Sequence, residues 1–200
     1  LKVEMQFFTR HRPFSVAAGV DEALAILEEC TGYFEDSGQF RNTFNETEVE
    51  AVQDGELVYY GGDPLKVRPV LKIRGRYRDI AGLETPVLGV LSETTRVATN
   101  VYNVLEAAGG KDVMFFPARF AHYKVQAQHG YAYFLAVQVY NRNFGQHARA
   151  IVSTDDQGSL WGGKGGGTIA HASIACFMGD TAETMMQFSR IMPVEIPRIA

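Results

Sequence analysis

The chain has 200 residues, of which 46% are apolar, 12% aromatic and 21% charged. This composition is typical of a folded globular protein and excludes a disordered tail, a collagen-like fibre and a membrane channel. With 19 basic and 23 acidic residues the net charge is −4. The basic surplus typical of general nucleic-acid binding is therefore absent, and we expect no nucleic-acid partner.

No run of about 18 apolar residues predicts a membrane span, and the N-terminus lacks the basic-then-apolar pattern of a secretion signal. The two cysteines, Cys30 and Cys176, are too few for a disulfide framework, so we expect a reduced, cytoplasmic compartment. Cys176 stands among apolar residues and is expected in the core. The chain starts at Leu1 without a methionine and stops within the strand-like residues 194–200, so we expect it to be a fragment of a longer protein.

The first part of the chain combines short strands with one helix. Residues 5–8 are strand-like, and a helix is predicted over residues 21–31 with Asp21 as its cap. Apolar and basic side chains alternate through residues 65–74, which predicts a half-buried strand. Pro69 favours an edge position or a break in that strand. Its basic face could bind an anion, but a solvated sheet face is the favoured interpretation.

From about residue 84 the pattern changes to alternating helices and apolar strands. The predicted segments are helix 92–108, strand 113–116, strand 150–153, strand 167–170, helix 180–191 and strand 194–200. Residues 131–140 are apolar and long enough for a helix but aromatic enough to leave their assignment ambiguous. This order indicates parallel βα units. We therefore predict an α/β protein with an α+β domain at residues 1–83, followed at residues 84–200 by the first part of a parallel α/β sheet or barrel.

Ligands of parallel α/β folds bind at the carboxyl ends of the strands, and that rule selects three stretches of this chain. Arg119 follows the first predicted strand, Ser153 and Asp155 stand at the end of the second, and Thr168 and His171 follow the glycine run. All three stretches are expected on one side of the sheet, where an arginine, a carboxylate and a histidine would share a rim.

Six glycines lie between residues 158 and 167 and would let backbone N–H groups approach a phosphate closely. The spacing from Gly158 to Gly163 and Lys164 nearly matches a phosphate-binding P-loop. That motif requires Ser or Thr at the next position to hold Mg²⁺, and this chain has Gly165 there. The P-loop is therefore disfavoured, and a plain flexible loop is the alternative.

His171 is the strongest candidate for chemistry. It opens a short predicted helix over residues 172–177, and a helix N-terminus attracts anions. A neutral imidazole nitrogen is a competent nucleophile toward phosphorus. A lone histidine is more often structural, but this position favours phosphate chemistry. The other histidines and the cysteines show no metal-ligand spacing, and the pair Asp155 and Asp156 fits either Mg²⁺, a ribose hydroxyl or a solvated turn.

Four stretches of the sequence carry a family resemblance. They are Gln6-Phe7-Phe8 with Arg12-Pro13-Phe14 and Ala18 to Glu22, Leu83 to Leu88 with Ala98-Thr99, Phe116 to Arg119, and Gly167 to Ala172. Together they resemble the nicotinate phosphoribosyltransferases, a branch of the type II phosphoribosyltransferases. The resemblance implies an N-terminal α/β sandwich domain followed by an irregular α/β barrel, assembled as a homodimer.

The resemblance also implies a reaction and roles for single residues. Nicotinate and phosphoribosyl diphosphate (PRPP) would give nicotinate mononucleotide and diphosphate on the route to NAD, with Mg²⁺ and with ATP as co-substrate. His171 matches the histidine that ATP-coupled members phosphorylate. Arg119 matches an arginine that faces the ring carboxylate or the PRPP phosphates. Asp155 with Ser153, and Thr168 in the Gly-Thr-x-Ala-His stretch, match substrate-binding positions.

Several alternatives remain open from the sequence. Nicotinamide as substrate would favour a carboxylate such as Asp155 near its amide, and quinolinate, with two carboxylates, would demand more basic side chains around the ring. A non-catalytic PRPP or nucleotide sensor could keep the fold without the reaction. A P-loop phosphotransferase would depend on Lys164 for ATP binding.

Overall fold

The computed structural model describes residues 1–117 and 119–196. Contacts divide the chain into two compact units, of which the first comprises residues 1–111 and 132–148, and the second residues 112–131 and 149–200. The predicted helix over residues 92–108 therefore belongs to the first unit, whereas the sequence predicted one domain over residues 84–200.

The mixed α/β class is confirmed. The strands are β1 (Lys2–Phe8), β2 (Phe14–Val16), β3 (Gly32–Phe34), β4 (Phe40–Asn42), β5 (Glu48–Ala51), β6 (Leu57–Tyr59), β7 (Pro69–Arg76), β8 (Val113–Phe115) and β9 (Ala150–Val152). The α-helices are α1 (Val20–Cys30), α2 (Tyr77–Ile80), α3 (Glu84–Ala108), α4 (Gln126–Phe144), α5 (Asp155–Gly158), α6 (His171–Cys176) and α7 (Thr181–Ile191).

An antiparallel sheet with strand order β1-β7-β5 forms one layer of the first unit. Strand β7 begins at Pro69, four residues later than predicted, because proline has no N–H to give to a ladder and is tolerated at the first position of a strand. From there β7 is the central strand and not an edge. Its inward side chains include Leu71 and Ile73, which are 0% and 1% exposed, so the predicted alternation is confirmed.

The basic face of β7 is neutralised within the sheet. The Arg74 guanidinium donates to the carboxylates of Glu4, Glu48 and Glu50, which come from the two neighbouring strands. Hydrogen bonds from Gln6 and Arg74 hold the pKa of the Glu4 carboxyl below its usual value. Arg68 and Lys72 also lie within ion-pair distance of carboxylates, those of Glu56 and Glu50, so the solvated sheet face remains the favoured interpretation.

Helix α1 packs over this sheet and closes the apolar core of the first unit. The core includes Val20, Leu27, Leu71 and Ile80, all at most 1% exposed. The predicted cap is wrong: Asp21 lies inside the first turn, and Gly19, with φ of 85°, precedes the helix. Asp54 Oδ1 instead accepts the N–H of Val20 at 2.8 Å, so the first turn is satisfied from elsewhere in the chain.

A parallel strand pair characterises the second unit. Strands β8 and β9 pair from Val113 with Ala150 to Phe115 with Val152, and α4 follows β8 and precedes β9 in the chain. The predicted βαβ order is confirmed, and helix α4 resolves the ambiguous segment at 131–140 as helical. The irregular barrel stays a prediction, because the described residues contain only this two-stranded parallel ladder.

Three expectations for the second unit are corrected. Residues 167–170 form no strand, and a single parallel bridge between Val152 and Gly165 stands in its place. Residues 194–196 form a turn, and the rest of that predicted strand, 197–200, lies outside the described residues. Cys176 is exposed and not in the core, since α6 has no buried residue. None of the helices described combines the length and apolar character needed to cross a bilayer.

Candidate functional site

A tight turn directly after β8 carries Arg119. The carbonyl oxygen of Pro117 accepts the N–H groups of Phe120 at 2.8 Å and Ala121 at 3.0 Å. These two hydrogen bonds hold the backbone segment from which the guanidinium side chain extends. The Arg119 side chain itself is exposed.

His171 opens helix α6 in the second unit and is also exposed. Its ring nitrogen Nδ1 lies 3.4 Å from Nη2 of Arg119, although 52 residues separate the two in sequence. The predicted meeting of these two side chains is thus observed. A guanidinium only donates, so Nδ1 is the acceptor, and the neutral ring then carries its proton on Nε2. The lone pair of the imidazole therefore faces the cation.

The loop after β9 holds Ser153, Thr154 and Asp155. Ser153 is buried, and its hydroxyl donates to Gln157 Oε1 at 3.0 Å. Thr154 caps the short helix α5 through a capping box with Gln157. Asp155 is exposed, and its Oδ1 accepts the N–H of Gly165 at 2.8 Å.

The glycine run packs along this loop. The N–H of Gly166 donates to Val152 O at 2.8 Å, and that of Gly167 to Ser153 O at 3.2 Å. A side chain at Gly165 would bring its Cβ to 2.6 Å from the carbonyl carbon of Thr154, so only glycine permits this close approach. Inside the P-loop spacing, the N–H of Gly163 donates to Gly158 O and that of Gly165 to Asp155 Oδ1. These amides already have protein acceptors, which further disfavours a phosphate-binding P-loop here.

Thr168 follows Gly167 directly and is exposed. The Asp155–Gly165 and Ser153–Gly167 hydrogen bonds hold the segment that leads to Thr168 against the loop that carries Ser153 and Asp155. The predicted substrate-binding roles of these three residues, and of Arg119, remain predictions.

Two buried glutamines were not identified from the sequence. Gln157 is 0% and Gln126 is 6% exposed, and Gln157 Nε2 donates to Gln126 Oε1 at 2.8 Å. A signal was present for one of them, because Thr154-x-x-Gln157 is the spacing of a capping box. Gln126 carries no comparable sequence signal.

Asp112 and Arg149 form a separate ion pair in the second unit. Asp112 Oδ2 accepts from Arg149 Nε at 2.8 Å, and hydrogen bonds from the Arg149 backbone and side chain hold the pKa of the Asp112 carboxyl below its usual value. Among residues 1–117 and 119–196, no three His, Cys, Asp or Glu side chains cluster as a metal site would require.

The first unit contains a cavity of about 300 Å³ that none of the predicted site residues lines. Phe7, Val70 and Leu91 give it an apolar wall, and Arg10 and Arg96 belong to its lining. This cavity was not anticipated from the sequence, since its walls come from segments about 80 residues apart and nothing in their spacing marks them.

Comparison with known proteins agrees with this fold. Residues 1–95 match the family model for the N-terminal domain of quinolinate phosphoribosyl transferase. The nicotinate-nucleotide pyrophosphorylase of Pyrococcus furiosus is 27% identical with a TM-score of 0.75, and the match covers 100% of this chain and 44% of that one. No curated protein matches the chain.

Two further solved structures share the fold at lower identity. Human nicotinic acid phosphoribosyltransferase is 21% identical with a TM-score of 0.64, covering 88% of this chain and 36% of that one. The nicotinate-nucleotide pyrophosphorylase of Ehrlichia chaffeensis is 13% identical with a TM-score of 0.57, covering 96% and 56%. This chain therefore spans only about half, or less, of the length of these relatives.

Proposed function

We propose that this chain is part of a phosphoribosyltransferase of NAD synthesis that joins nicotinate to PRPP and releases diphosphate. The observation that carries the proposal is the contact between Arg119 and His171 at the carboxyl end of a parallel strand pair. The similarity of the whole chain to a nicotinate-nucleotide pyrophosphorylase supports a phosphoribosyltransferase of NAD synthesis, with either nicotinate or quinolinate as the base.

The exposed guanidinium of Arg119 suits a planar carboxylate, which it can bind through two parallel hydrogen bonds. A carboxylate held in this way would orient the pyridine ring so that its nitrogen attacks C1 of the ribose. The diphosphate then leaves with the bonding electrons, and cationic groups stabilise its charge.

His171 has a second role in the proposal. When the Arg119 guanidinium turns to a substrate phosphate, the Nδ1 lone pair would be free to attack the γ-phosphorus of ATP. The N–P bond would form as the P–O bond to ADP breaks, and the ring would release its Nε2 proton to solvent. The neighbouring guanidinium would balance the negative charge of the phosphoryl group. Hydrolysis of this phosphohistidine would then drive nucleotide synthesis. The chain would act as a cytoplasmic homodimer, and its two free thiols are compatible with a reduced compartment.

Mg²⁺ would enter with the substrate. This cation commonly takes one or two protein carboxylates together with substrate phosphates, and Asp155 and Asp156, in the first turn of α5, are the carboxylates available in the loop after β9. Bound to PRPP, Mg²⁺ would neutralise charge on the leaving diphosphate. The exposed Thr168 would contribute a polar contact to the same site, whereas the buried Ser153 hydroxyl already donates to Gln157 and would act through the loop.

Quinolinate is the second candidate substrate, and the family model that matches residues 1–95 favours it. Both substrates lead to nicotinate nucleotide, but quinolinate carries one carboxylate more and must lose it as carbon dioxide. One guanidinium, such as that of Arg119, would be enough for the single carboxylate of nicotinate, whereas quinolinate would need a second cation as well.

A panel of bases tests the proposal. The complete protein is mixed with PRPP, Mg²⁺ and nicotinate, quinolinate or nicotinamide, and the release of diphosphate and of carbon dioxide is measured. We expect diphosphate with nicotinate and no carbon dioxide. Equal amounts of both products with quinolinate would establish the second candidate. Absence of diphosphate with every base would leave a non-catalytic sensor and refute the proposed reaction.

A further inference from the structure

Two buried glutamine side chains connect the loops that carry the candidate site residues. Gln126 is the first residue of α4, and Gln157 lies in α5 after β9. Both are almost completely removed from solvent. Buried amide groups are retained only when their hydrogen bonds are satisfied, so the partners of these two side chains define what they do.

The backbone groups at the two ends fix the direction of every hydrogen bond in this chain of amides. Gln157 Oε1 accepts the N–H groups of Ser153 at 3.0 Å and Thr154 at 3.3 Å. Its Nε2 donates to Gln126 Oε1 at 2.8 Å, and Gln126 Nε2 donates to the carbonyl oxygen of Ala121 at 3.0 Å. An N–H only donates and a carbonyl only accepts, so neither amide can be reversed without losing a bond.

Ala121 closes the turn that carries Arg119, and Ser153 and Thr154 precede Asp155. The amide relay, defined as Gln126 and Gln157, therefore runs from one strand-end loop to the other. The Ser153 hydroxyl is also bonded to this relay, so Ser153 presents no free hydroxyl to a ligand in the described structure.

We propose that Gln126 and Gln157 are positioning residues, which set the spacing between the Arg119 turn and the Ser153–Asp155 loop. The inference rests on the proposed function for its kinetic consequences. Neither glutamine touches the reacting atoms. They act by holding the two loops at a fixed spacing. A misplacement of about 1 Å in a binding group is enough to slow a reaction about a hundredfold.

Glu in place of Gln157 offers a reversible test, because the two side chains have the same shape. A protonated carboxyl keeps one acceptor for Ser153 and one donor for Gln126, as the amide does. An ionised carboxylate has no donor, so two oxygens face each other and the relay breaks. Burial and the Gln126 oxygen that faces this carboxyl favour the protonated form, while the donors of Ser153 and Thr154 favour the carboxylate. The break is therefore expected as the pH is raised.

The measurement is the pH profile of kcat/KM for nicotinate in the complete protein, relative to wild type. We expect Gln157→Glu to match wild type within about threefold near pH 5.5 and to fall at least about tenfold below it near pH 8.5. In ionised Gln126→Glu, one carboxylate oxygen still accepts from Gln157 Nε2, but the other faces the carbonyl oxygen of Ala121. This variant therefore loses only the hydrogen bond to the Arg119 turn. This variant should raise the KM for nicotinate at alkaline pH more than the KM for PRPP.

Gln138→Glu is the matched control, since Gln138 is an exposed residue of α4. It introduces the same charge and should keep the wild-type profile. Wild-type profiles for both Gln126→Glu and Gln157→Glu would overturn the proposal. So would a loss that is equal at every pH while the melting temperature is unchanged. If Gln157→Glu fails to fold, the Gln126→Glu profile decides alone.

Hydrogen exchange separates this inference from the proposed function. Exchange of the peptide that covers residues 117–121 is compared at one alkaline pH in wild type, Gln126→Glu and Gln138→Glu. Faster exchange in Gln126→Glu alone supports the relay even if wild type releases no diphosphate, in which case only the proposed function fails. Equal exchange in all three proteins overturns the relay.

Discussion

The two compact units of this chain are stabilised by different kinds of interaction. The first unit has a conventional apolar core, in which Leu27, Leu71 and Ile80 are fully buried, under a sheet whose outer face is covered by ion pairs. The candidate site of the second unit rests on strands of three residues, on glycines and on buried amides. The described apolar cluster thus lies in the first unit, whereas glycine contacts and buried amides hold the strand-end loops of the second.

The largest effect on activity is expected from substitution of His171. Its substitution by Ala in the complete protein should abolish the stimulation of nucleotide synthesis by ATP, because no phosphohistidine can form, and should leave slow ATP-independent synthesis. Diphosphate production with and without ATP measures this. The melting temperature should not change, since His171 is exposed. Full ATP stimulation in the variant would remove His171 from the proposed role.

Two helix glycines, Gly89 in the first unit and Gly130 in the second, differ in the space available for a side chain. A Cβ at Gly130 of α4 would lie 1.8 Å from the carbonyl oxygen of Gln157, whereas a Cβ at Gly89 of α3 would meet nothing within 4 Å. Gly130→Ala should therefore lower the free energy of unfolding by about 3 kcal/mol. Gly89→Ala should raise it by up to about 1 kcal/mol, because alanine favours helix. Chemical denaturation measures both, and equal effects would contradict the described packing.

Asp79 gives a prediction for the first unit. Burial acts to raise the pKa of this carboxyl, but hydrogen bonds from Thr43, Arg76 and Arg78 outweigh burial, and the pKa lies below its usual value. A lowered folded-state pKa means that the stabilisation is present above the unfolded-state pKa and is lost as the pH falls through the folded-state value.

Asp79→Asn should accordingly cost about 2 kcal/mol near pH 7, and less as the pH falls below the ordinary aspartate pKa of 3.8 toward the lower folded-state pKa. Thermal melts across this range provide the measurement. The KM for nicotinate should stay at its wild-type value, since Asp79 belongs to the first unit. A stability loss independent of pH would show that the charge of Asp79 is not what matters.

The smallest expected effect concerns the shape of the cation at residue 119. Arg119→Lys keeps the charge but loses the planar fork, and it should raise the KM for nicotinate about tenfold while leaving the melting temperature unchanged. Arg190→Lys is a control, since Arg190 is an exposed residue of α7. A KM unchanged in Arg119→Lys would argue against a bidentate carboxylate contact.

Much of the fold follows from local patterns in the sequence. The alternation around Leu71 and Ile73 predicted the inward face of β7, and the order of apolar runs predicted the parallel pair β8 and β9. The strand-end rule placed Arg119 and His171 on one rim, and the two side chains are in contact, although the third strand that the rule used for His171 is not formed. These features depend on periodicity and topology, which a sequence carries directly.

Other features depend on tertiary contacts that no local pattern records. The third strand was predicted from the residues around Thr168, but the approach of Gly165 to Thr154 selects a single bridge with glycine instead. Cys176 has apolar neighbours in sequence, yet α6 buries none of its residues. The partnership of Gln126 with Gln157 joins residues 31 positions apart, and polar pairs of this kind have no periodic signature.

Arg119 and His171 are proposed to belong to one site, and a double-mutant cycle measures the energetic coupling between the two side chains. Diphosphate production with ATP, PRPP and nicotinate is measured for wild type, Arg119→Gln, His171→Ala and the double variant. Residues of one site interact energetically, so the double variant should lose much less activity than the product of the two single losses. Losses that multiply, as they do for residues acting independently, would contradict a shared site.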